Sequence, residues 1–486
     1  MKNFKFRWIF LIYAMFLTFS VIYFIYPVCD DLYYAQPQPG KTLSQVFMPG
    51  QIMWRPFDRL VEYILGYFPS LFPNLNHVID LTGHFISCAV LYFLLKNFVR
   101  DKKSILIGCL LFWLSPAIVH TVTNSDFFNQ CLAFTAGILS GVLFFKAKLT
   151  NKKIYFTLWM ISAFLSTLFK ENGIVWFVMP VVFYVVYDYV ILNKKFFDAI
   201  KGNIFYIILG LLVALLYFAI RFALLGKIAL GNSIGVEGSA YSVNLTMKNI
   251  LKNYTSIIGG SITAIDNLAL FLKPRNWTIL IISGVISVIF LVLLLTGLIK
   301  IFRNSKKLFV SIILIFFCAM LIVVPYVIMG HVREANGYEF AYIFAFISSL
   351  ILSKIKWNYK ILLIIVSFLV CMIFVDCHKF ITLSRYGFEI EEFIQEHSKY
   401  FKNKPSKVFV YSIQDVSEEG FSIYSHSIQH GSSWGLAFKK IWGWDTEIVV
   451  KQIKNYSEIN FSSDALPEYD TVFIFANSGK LNILRN

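Results

Sequence analysis

Acidic and basic side chains recur beside the long apolar runs of this chain, in connectors that are far apart in the sequence. The stretch YPVCDDLYYAQP places two adjacent carboxylates, Asp30 and Asp31, directly after the first apolar run. Ionisable groups at membrane depth are costly, so each needs a partner or a task. The full set comprises the acids Asp30, Asp31, Asp126, Glu171 and Glu334 and the bases Arg55, Lys170, His331 and Arg333.

A carboxylate that faces several cations is suited to group transfer from a phosphate. The carboxylate can remove a proton from an acceptor hydroxyl, and the cations stabilise the charge that develops on the departing phosphate. This chemistry requires that connectors scattered along the chain meet in one pocket. The elements that these connectors join must bring them together.

Those elements are membrane helices. Of 486 residues, 57% are hydrophobic and 15% are charged, and the mean hydropathy is +0.66, whereas soluble proteins carry about 25% charged residues. Runs long enough to cross a hydrocarbon layer of about 30 Å recur along most of the chain, which predicts an all-α polytopic membrane protein with about eleven transmembrane helices. The predicted spans are Trp8–Tyr26, Ile79–Leu95, Ser104–Val119, Phe128–Phe145, Ile154–Phe169, Ile174–Leu192, Ile204–Leu224, Ile279–Ile299, Leu308–Ile328, Phe340–Leu352 and Ile361–Val375.

The net charge of +16 is explained by topology. Lysine and arginine cluster in the short connectors KNFVRDKK, KAKLTNKK, LNKKFFDAIK, KIFRNSKK and SKIKWNYK. Short basic loops mark the cytoplasmic side, and a count of eleven spans places all of these loops on that side. The sequence lacks the soluble basic face that binding to nucleic acid requires. The connectors that carry the candidate site residues then face outwards, as expected for a protein of the bacterial inner membrane with its site towards the periplasm.

The chain divides into two predicted domains. Residues 1–378 form the transmembrane domain, whose first outer loop spans residues 27–78 and contains an interfacial helix in MWRPFDRLVEYILGYF. Residues 379–486 lack long apolar runs. In them EIEEFIQEHSKYF is typical of an amphipathic helix, and KVFVYSI, TEIVV and YDTVFIF are typical of strands. We therefore predict a small extracytoplasmic α/β domain at the carboxyl terminus.

Four short motifs, in order between Asp30 and Gly173, resemble one superfamily. DDLYYA resembles the D-[DE]-x-Y-Y-A signature in the first outer loop of GT-C glycosyltransferases, notably protein O-mannosyltransferases and lipid A aminoarabinose transferases. WRPF, SPAIVHTVTNSD and FKENGI are similar to the YRPL, P-x-x-x-H-T-E and SKE-x-G elements of the transmembrane TPR-repeat O-mannosyltransferases, and VREANGYEF weakly resembles a later element. From about Lys201 onwards only the predicted topology is similar.

The resemblance implies a polyprenyl-phosphate-linked sugar as donor. It assigns the catalytic base to Asp30 and the second acidic position to Asp31. Asp126 lies near the second acidic loop of the family, although Val122 stands where the family has glutamate. Arg55 and Lys170 match contacts to the lipid phosphate. The predicted phosphate site also includes Glu171, His331 and Arg333.

The predicted reaction is the transfer of one sugar to an extracytoplasmic acceptor, with inversion at the anomeric carbon. The acceptor can be a protein, a glycolipid or a cell-envelope glycan. Related enzymes that use monophosphate donors need no metal, so we predict no cofactor. A lipid diphosphate donor would instead call for a divalent cation, which Asp31 and Asp126 could bind.

Each assignment has a structural alternative. Asp30 and Asp126 can be solvated residues at helix ends, and Arg55 can be an interfacial anchor. Lys170 and Glu171 can form an ion pair that closes a turn, and the segment from His331 to Glu334 can be a polar loop. The alternative function is a transporter or flippase of lipid-linked glycans. A transporter should carry ionisable groups near the middle of the membrane, whereas the charges here concentrate at one face.

Overall fold

The fold is known from a computed structural model. It describes residues 42–49, 54–68, 74–123, 128–225, 244–265, 277–328, 334–398, 407–413, 439, 445–453, 457, 471–475 and 481–485. The α-helices, numbered here in chain order, are α1 (Leu43–Phe47), α2 (Pro56–Leu65), α3 (Asn74–Phe98), α4 (Lys102–Trp113), α5 (Pro116–Thr123), α6 (Phe128–Thr150), α7 (Lys153–Phe169), α8 (Met179–Val190), α9 (Phe196–Lys201), α10 (Ile204–Leu225), α11 (Met247–Ile262), α12 (Trp277–Asn304), α13 (Lys306–Ile322), α14 (Val324–Val327), α15 (Tyr338–Leu352) and α16 (Tyr359–Ser398). Two 3-10 helices cover Glu171–Phe177 and Glu334–Gly337, and the strands are β1 (Lys407–Ile413), β2 (Glu447–Ile453), β3 (Thr471–Phe475) and β4 (Leu481–Arg485).

Several of these helices can cross a membrane. Within the described part of the chain, six are long and apolar enough to do so. They cover Leu75–Phe98, Phe128–Thr150, Glu171–Val190, Ile204–Leu225, Trp277–Asn304 and Tyr359–Ile381. Helices α7 and α15 are shorter but also apolar. The prediction of a helical membrane protein is therefore supported. The count of eleven spans stays a prediction, because Trp8–Tyr26 lies outside the described residues.

Three predicted spans are interrupted helices. Ser104–Val119 comprises α4 and α5, and the second of these begins at Pro116. Ile174–Leu192 starts within a 3-10 helix and continues as α8, and Leu308–Ile328 comprises α13 and α14. Each of the later helices has a proline in its first turn, where the missing backbone N–H is tolerated because it has no intrahelical partner there.

Helix α15 lies at the centre of the bundle, and all of its side chains are buried or nearly so. Its small residues allow close approach to α4. The Oγ of Ser349 donates to the carbonyl of Ser104 at 2.7 Å, and a Cβ on Gly108 would lie 2.9 Å from the Cβ of Ser349. Small residues at such crossings are typical of helix packing in membranes. Around the other end of α15, the aromatic rings of Phe112, Phe134, Tyr338 and Tyr342 pack edge to face.

The predicted basic connectors contact one another at one end of the bundle. Asp101 caps α4 by accepting from the backbone N–H groups of Lys103 and Ser104, and it also accepts from Nε1 of Trp357 at 2.9 Å. Burial alone would raise the pKa of Asp101, but the hydrogen bonds from Ser104, Trp357 and Lys103 outweigh it and hold the pKa below its usual value. Between two other basic connectors, Lys307 Nζ donates to the side chain of Asn193.

The four described strands form one mixed sheet in the order β2-β1-β3-β4. Strand β1 pairs in parallel with β2 and β3, and β3 pairs antiparallel with β4. The predicted strands KVFVYSI, TEIVV and YDTVFIF coincide with the first three, whereas β4 was not predicted. The segment EIEEFIQEHS continues α16, which runs unbroken across residue 378. The division into domains 1–378 and 379–486 stays a prediction.

Candidate functional site

Three predicted site residues lie in the described part of the chain, and they meet at one end of the bundle. These are Arg55, Lys170 and Glu171. The other residues of the predicted catalytic and phosphate sites lie outside the described residues: Asp30, Asp31, Asp126, His331 and Arg333. Their roles stay predictions. Glu334, the remaining acid of the candidate set, begins the 3-10 helix Glu334–Gly337.

The centre of the site is the carboxylate of Glu171, which binds two arginines through different oxygens. Oε2 accepts from Nη2 of Arg55 at 2.7 Å and from its Nε at 2.9 Å. Oε1 lies 2.8 Å from Nη1 of Arg221. The side chains of Arg55 and Glu171 are 20% and 28% exposed, whereas that of Arg221 is 5% exposed. One arginine therefore reaches solvent and the other is held behind the carboxylate.

Aromatic residues support the buried arginine. Nη1 of Arg221 also donates to the hydroxyl of Tyr217 at 3.2 Å, one turn earlier on α10. The ring of Trp54 stacks on that of Tyr217, with 6.2 Å between the centroids. Trp54 directly precedes Arg55, so the WRPF motif contacts α10 through its tryptophan and Glu171 through its arginine.

The segment FKENG forms a tight turn because it packs on the backbone of the helix it leaves. Helix α7 ends as Lys170 adopts an extended conformation, and the N–H of Gly173 donates to the carbonyl of Lys170 at 2.9 Å. A Cβ on Gly173 would lie 2.4 Å from the carbonyl carbon of Ser166, so only glycine fits this close approach. The turn directs the side chains of Lys170, Glu171 and Asn172 towards different partners.

Lys170 and Asn172 enter a second polar network beside the first. Nζ of Lys170 donates to Oε1 of Gln130 at 2.8 Å, and Nε2 of Gln130 donates to Glu339 at 3.1 Å. Nδ2 of Asn172 donates to the same carboxylate and to the hydroxyl of Tyr326, the latter at 2.7 Å. Gln130 is fully buried, and Glu339 is 2% exposed.

Among the residues that the structure describes, the two networks contain three cations, Arg55, Arg221 and Lys170, and two carboxylates, Glu171 and Glu339. The described part of the cluster therefore has a net positive charge. Burial strengthens electrostatic interactions, so a cluster with excess positive charge at the edge of a membrane attracts an anion. The arrangement is suited to binding a phosphate or similar anionic group beside Arg55.

Several members of the site were missed from the sequence. Arg221 interrupts the apolar run of the predicted span Ile204–Leu224, which is by itself a sign of a functional residue, but it was not among the predicted site residues. Glu339 is the last residue of the predicted connector GHVREANGYE, directly before the span Phe340–Leu352, and it was given no role. Gln130 and Asn172 carry no charge, and nothing in the sequence marked them.

The motif SPAIVHTVTNSD, which contains His120 and Thr121, passes beside the start of α3. Nδ1 of His77 and the carbonyl of Val122 lie 3.3 Å apart, and Thr121 is fully buried. Among the described residues, no group of three or more His, Cys, Asp or Glu side chains is placed to hold a metal ion. Because Asp31 and Asp126 are not among those residues, independence from metals stays a prediction.

Comparison with known proteins finds similarity to solved structures but shows no family. No protein-family model and no curated protein matches this chain. One similar solved structure is the archaeal oligosaccharyltransferase AglB from Archaeoglobus fulgidus, in complex with an inhibitory peptide and a dolichol-phosphate. The identity is 12%, the TM-score is 0.42, and the match covers 100% of this chain and 74% of that chain. These values are too low to establish a common family.

Proposed function

We propose that this protein is an integral-membrane glycosyltransferase that moves a sugar from a polyprenyl-phosphate carrier to an extracytoplasmic acceptor. The observation that carries the proposal is the ion pair between Arg55 and Glu171. These residues belong to WRPF and FKENG, two of the motifs that resemble GT-C enzymes, and they are 116 residues apart. Their contact supports the expectation that distant connectors form one site.

In the proposed reaction, the acceptor hydroxyl attacks the anomeric carbon of the donor sugar. Asp30 takes the hydroxyl proton as the new glycosidic bond forms. The bond between the anomeric carbon and the phosphate oxygen breaks, and its electron pair stays on the polyprenyl phosphate. Arg55 and Lys170 stabilise the negative charge of that leaving group. A single displacement inverts the configuration of the anomeric carbon.

The remaining predicted residues complete this proposal. Asp31 and Asp126 position the acceptor, and His331 and Arg333 add to the binding of the donor phosphate. Arg221 and Glu171 hold Arg55 at the edge of the site. The acceptor is a protein, a glycolipid or a glycan of the bacterial cell envelope, and the site faces the periplasm, where it has no access to cytoplasmic nucleotide sugars.

Transfer by the full-length chain in lipid nanodiscs tests the proposal. The donors are synthetic polyprenyl-phosphate sugars, and the acceptor is chosen by mass spectrometry of envelope glycans from cells with and without the gene. We expect Asp30→Asn to lower the transfer rate by about a hundredfold or more while donor binding persists. We expect Arg55→Gln to weaken donor binding.

Arg59 provides the matched control for Arg55. It lies one turn further along α2, and its Nη1 donates to the carbonyl of Met48 at 2.9 Å, away from Glu171. Arg59→Gln should leave transfer and donor binding unchanged. Full transfer by the Asp30→Asn variant would refute the assignment of the base. In sealed liposomes, movement of the lipid donor across the bilayer without any transfer would favour a flippase and contradict the proposal.

A further inference from the structure

Glu339 is a buried acid that is linked by hydrogen bonds to the two residues that flank Glu171 in the chain. It contacts neither arginine of the site. One flank is Asn172, whose Nδ2 donates directly to Oε1 of Glu339. The other is Lys170, whose ammonium group reaches Glu339 through the side-chain amide of Gln130. The residues on either side of Glu171 are thus tied to one carboxylate at the start of α15.

The direction of this hydrogen-bond chain is the one expected for a carboxylate at position 339, because Gln130 and Asn172 both donate to its oxygens. A carboxylate only accepts hydrogen bonds, so Gln130 must turn its Nε2 towards Glu339. Its Oε1 then faces Lys170, whose ammonium group only donates. With this polarity, each link of the chain has one donor and one acceptor.

A neutral amide at position 339 would reverse this polarity. Asn172 donates to Glu339, so the oxygen of the new amide would stay on that side and its NH₂ group would face Gln130. Gln130 would have to turn its oxygen towards that NH₂ group and present its own NH₂ group to Lys170. Two donors would then face each other, and Lys170 would lose Gln130 as an acceptor.

We propose that Glu339 is a positioning residue that fixes Lys170, and with it the turn carrying Glu171, through the amide of Gln130. The role in fixing Lys170 depends only on the contacts above. The consequence for a lipid phosphate rests on the function proposed for the site. The two parts are therefore tested by separate measurements.

The first measurement is the reactivity of Lys170 towards a small acylating reagent, read by peptide mass spectrometry on the full chain in nanodiscs. A nearby carboxylate favours the charged ammonium form, which does not react. We expect Glu339→Gln to raise the rate at least threefold. The double variant Gln130→Glu with Glu339→Gln should restore the slow rate, because the acid then accepts directly from Lys170 and from the new amide.

Two further variants make this result specific. Gln130→Met removes the link but keeps Glu339 charged, and it should also raise the rate at Lys170 if the link is the amide. Glu447→Gln is the matched control, because that carboxylate lies on β2 beside Lys407 and is 59% exposed. It should leave Lys170 unchanged. An unaltered rate in either Glu339→Gln or Gln130→Met would overturn the positioning role through Gln130.

The second measurement is the dissociation constant of polyprenyl phosphate in the same nanodiscs. We expect Glu339→Gln to weaken binding about tenfold, equivalent to about 1.4 kcal/mol, and the double variant to recover most of it. A change in Lys170 reactivity without measurable lipid binding by the native protein would retain the positioning role and refute the proposed function. Recovery of the Lys170 rate without recovery of binding would refute the link between Glu339 and the donor.

Discussion

At the scale of single residues, the site depends on one carboxylate shared by two guanidinium groups. Glu171 gives one oxygen to Arg55 and the other to Arg221, and Arg221 is almost fully buried. Removing one member of a buried ion pair leaves an uncompensated charge, which is more costly than removing both. Because Glu171 is partly exposed, the cost of removing its partner is smaller than for a fully buried pair.

A double-mutant cycle measures this coupling. We expect Glu171→Gln and Arg221→Gln each to lower the free energy of unfolding in detergent by about 2 kcal/mol. The double variant should cost at least about 1 kcal/mol less than the sum, because it leaves no unpaired cation at position 221. Additive costs would mean that the two side chains do not interact.

Sequence motifs predicted Arg55, Lys170 and Glu171 as neighbours, but not which of them bind one another. Lys170 and Glu171 are adjacent, yet the turn sends Lys170 to Gln130 and Glu171 to the arginines. That choice is made by tertiary packing. Gln130, 40 residues from Lys170, joins the site only because α6 passes beside the turn.

At the scale of helices, close packing of α6 against the 3-10 helix Glu171–Phe177 positions Glu171, the first residue of that helix. A Cβ on Gly137 would lie 2.2 Å from the indole ring of Trp176, five residues after Glu171. A Cβ on Gly141, one turn further along α6, would have no neighbour within 4 Å. The two glycines therefore form a matched pair that differs in packing.

Substituting these glycines tests the packing. Gly137→Ala should displace Trp176 and lower the free energy of unfolding by about 1–3 kcal/mol, as overpacked cores do. Gly141→Ala should be neutral or should stabilise the helix by up to about 1 kcal/mol, because alanine is the better helix former. Unfolding in detergent measures both, and equal effects at the two positions would contradict the packing described here.

Apolar runs predicted where helices lie but did not predict their interruptions. Hydropathy averages over a window, so it treats residues from Ser104 to Val119 as one span although Pro116 begins a new helix. The proline was visible in the sequence and its effect on helices is general, so this break was predictable. The 3-10 start at Glu171 was not, since it depends on the close approach of Gly173 to Ser166 and of Trp176 to Gly137.

At the scale of the whole molecule, each of the following contacts joins connectors or span ends that are predicted to lie on the same side of the membrane. At the basic end, Asp101 binds Trp357, and Lys300 Nζ donates to the carbonyl of Lys354. At the opposite end, besides Arg55 and Glu171, Nδ2 of Asn253 donates to the carbonyl of Val327 and Oγ of Ser261 donates to that of Gly337. The contacts support the alternation of sides predicted from hydropathy and loop charge, two separate properties of the sequence. Which side faces the cytoplasm is a further prediction.

Amine labelling with a membrane-impermeant reagent tests both the alternation and the orientation. Lys248 and Lys252 are exposed on α11 at the end that carries the site, and Lys152 and Lys356 are exposed at the basic end. In spheroplasts, we expect peptide mass spectrometry to find the α11 lysines labelled and the basic-end lysines protected. Inverted membrane vesicles should give the opposite pattern, because short basic loops stay in the cytoplasm.

Labelling of both groups in one sealed preparation would refute the alternation. A clean pattern of the reverse sense would keep the alternation and place the site in the cytoplasm, where a nucleotide sugar could reach it and the proposed lipid-linked donor would lose its rationale.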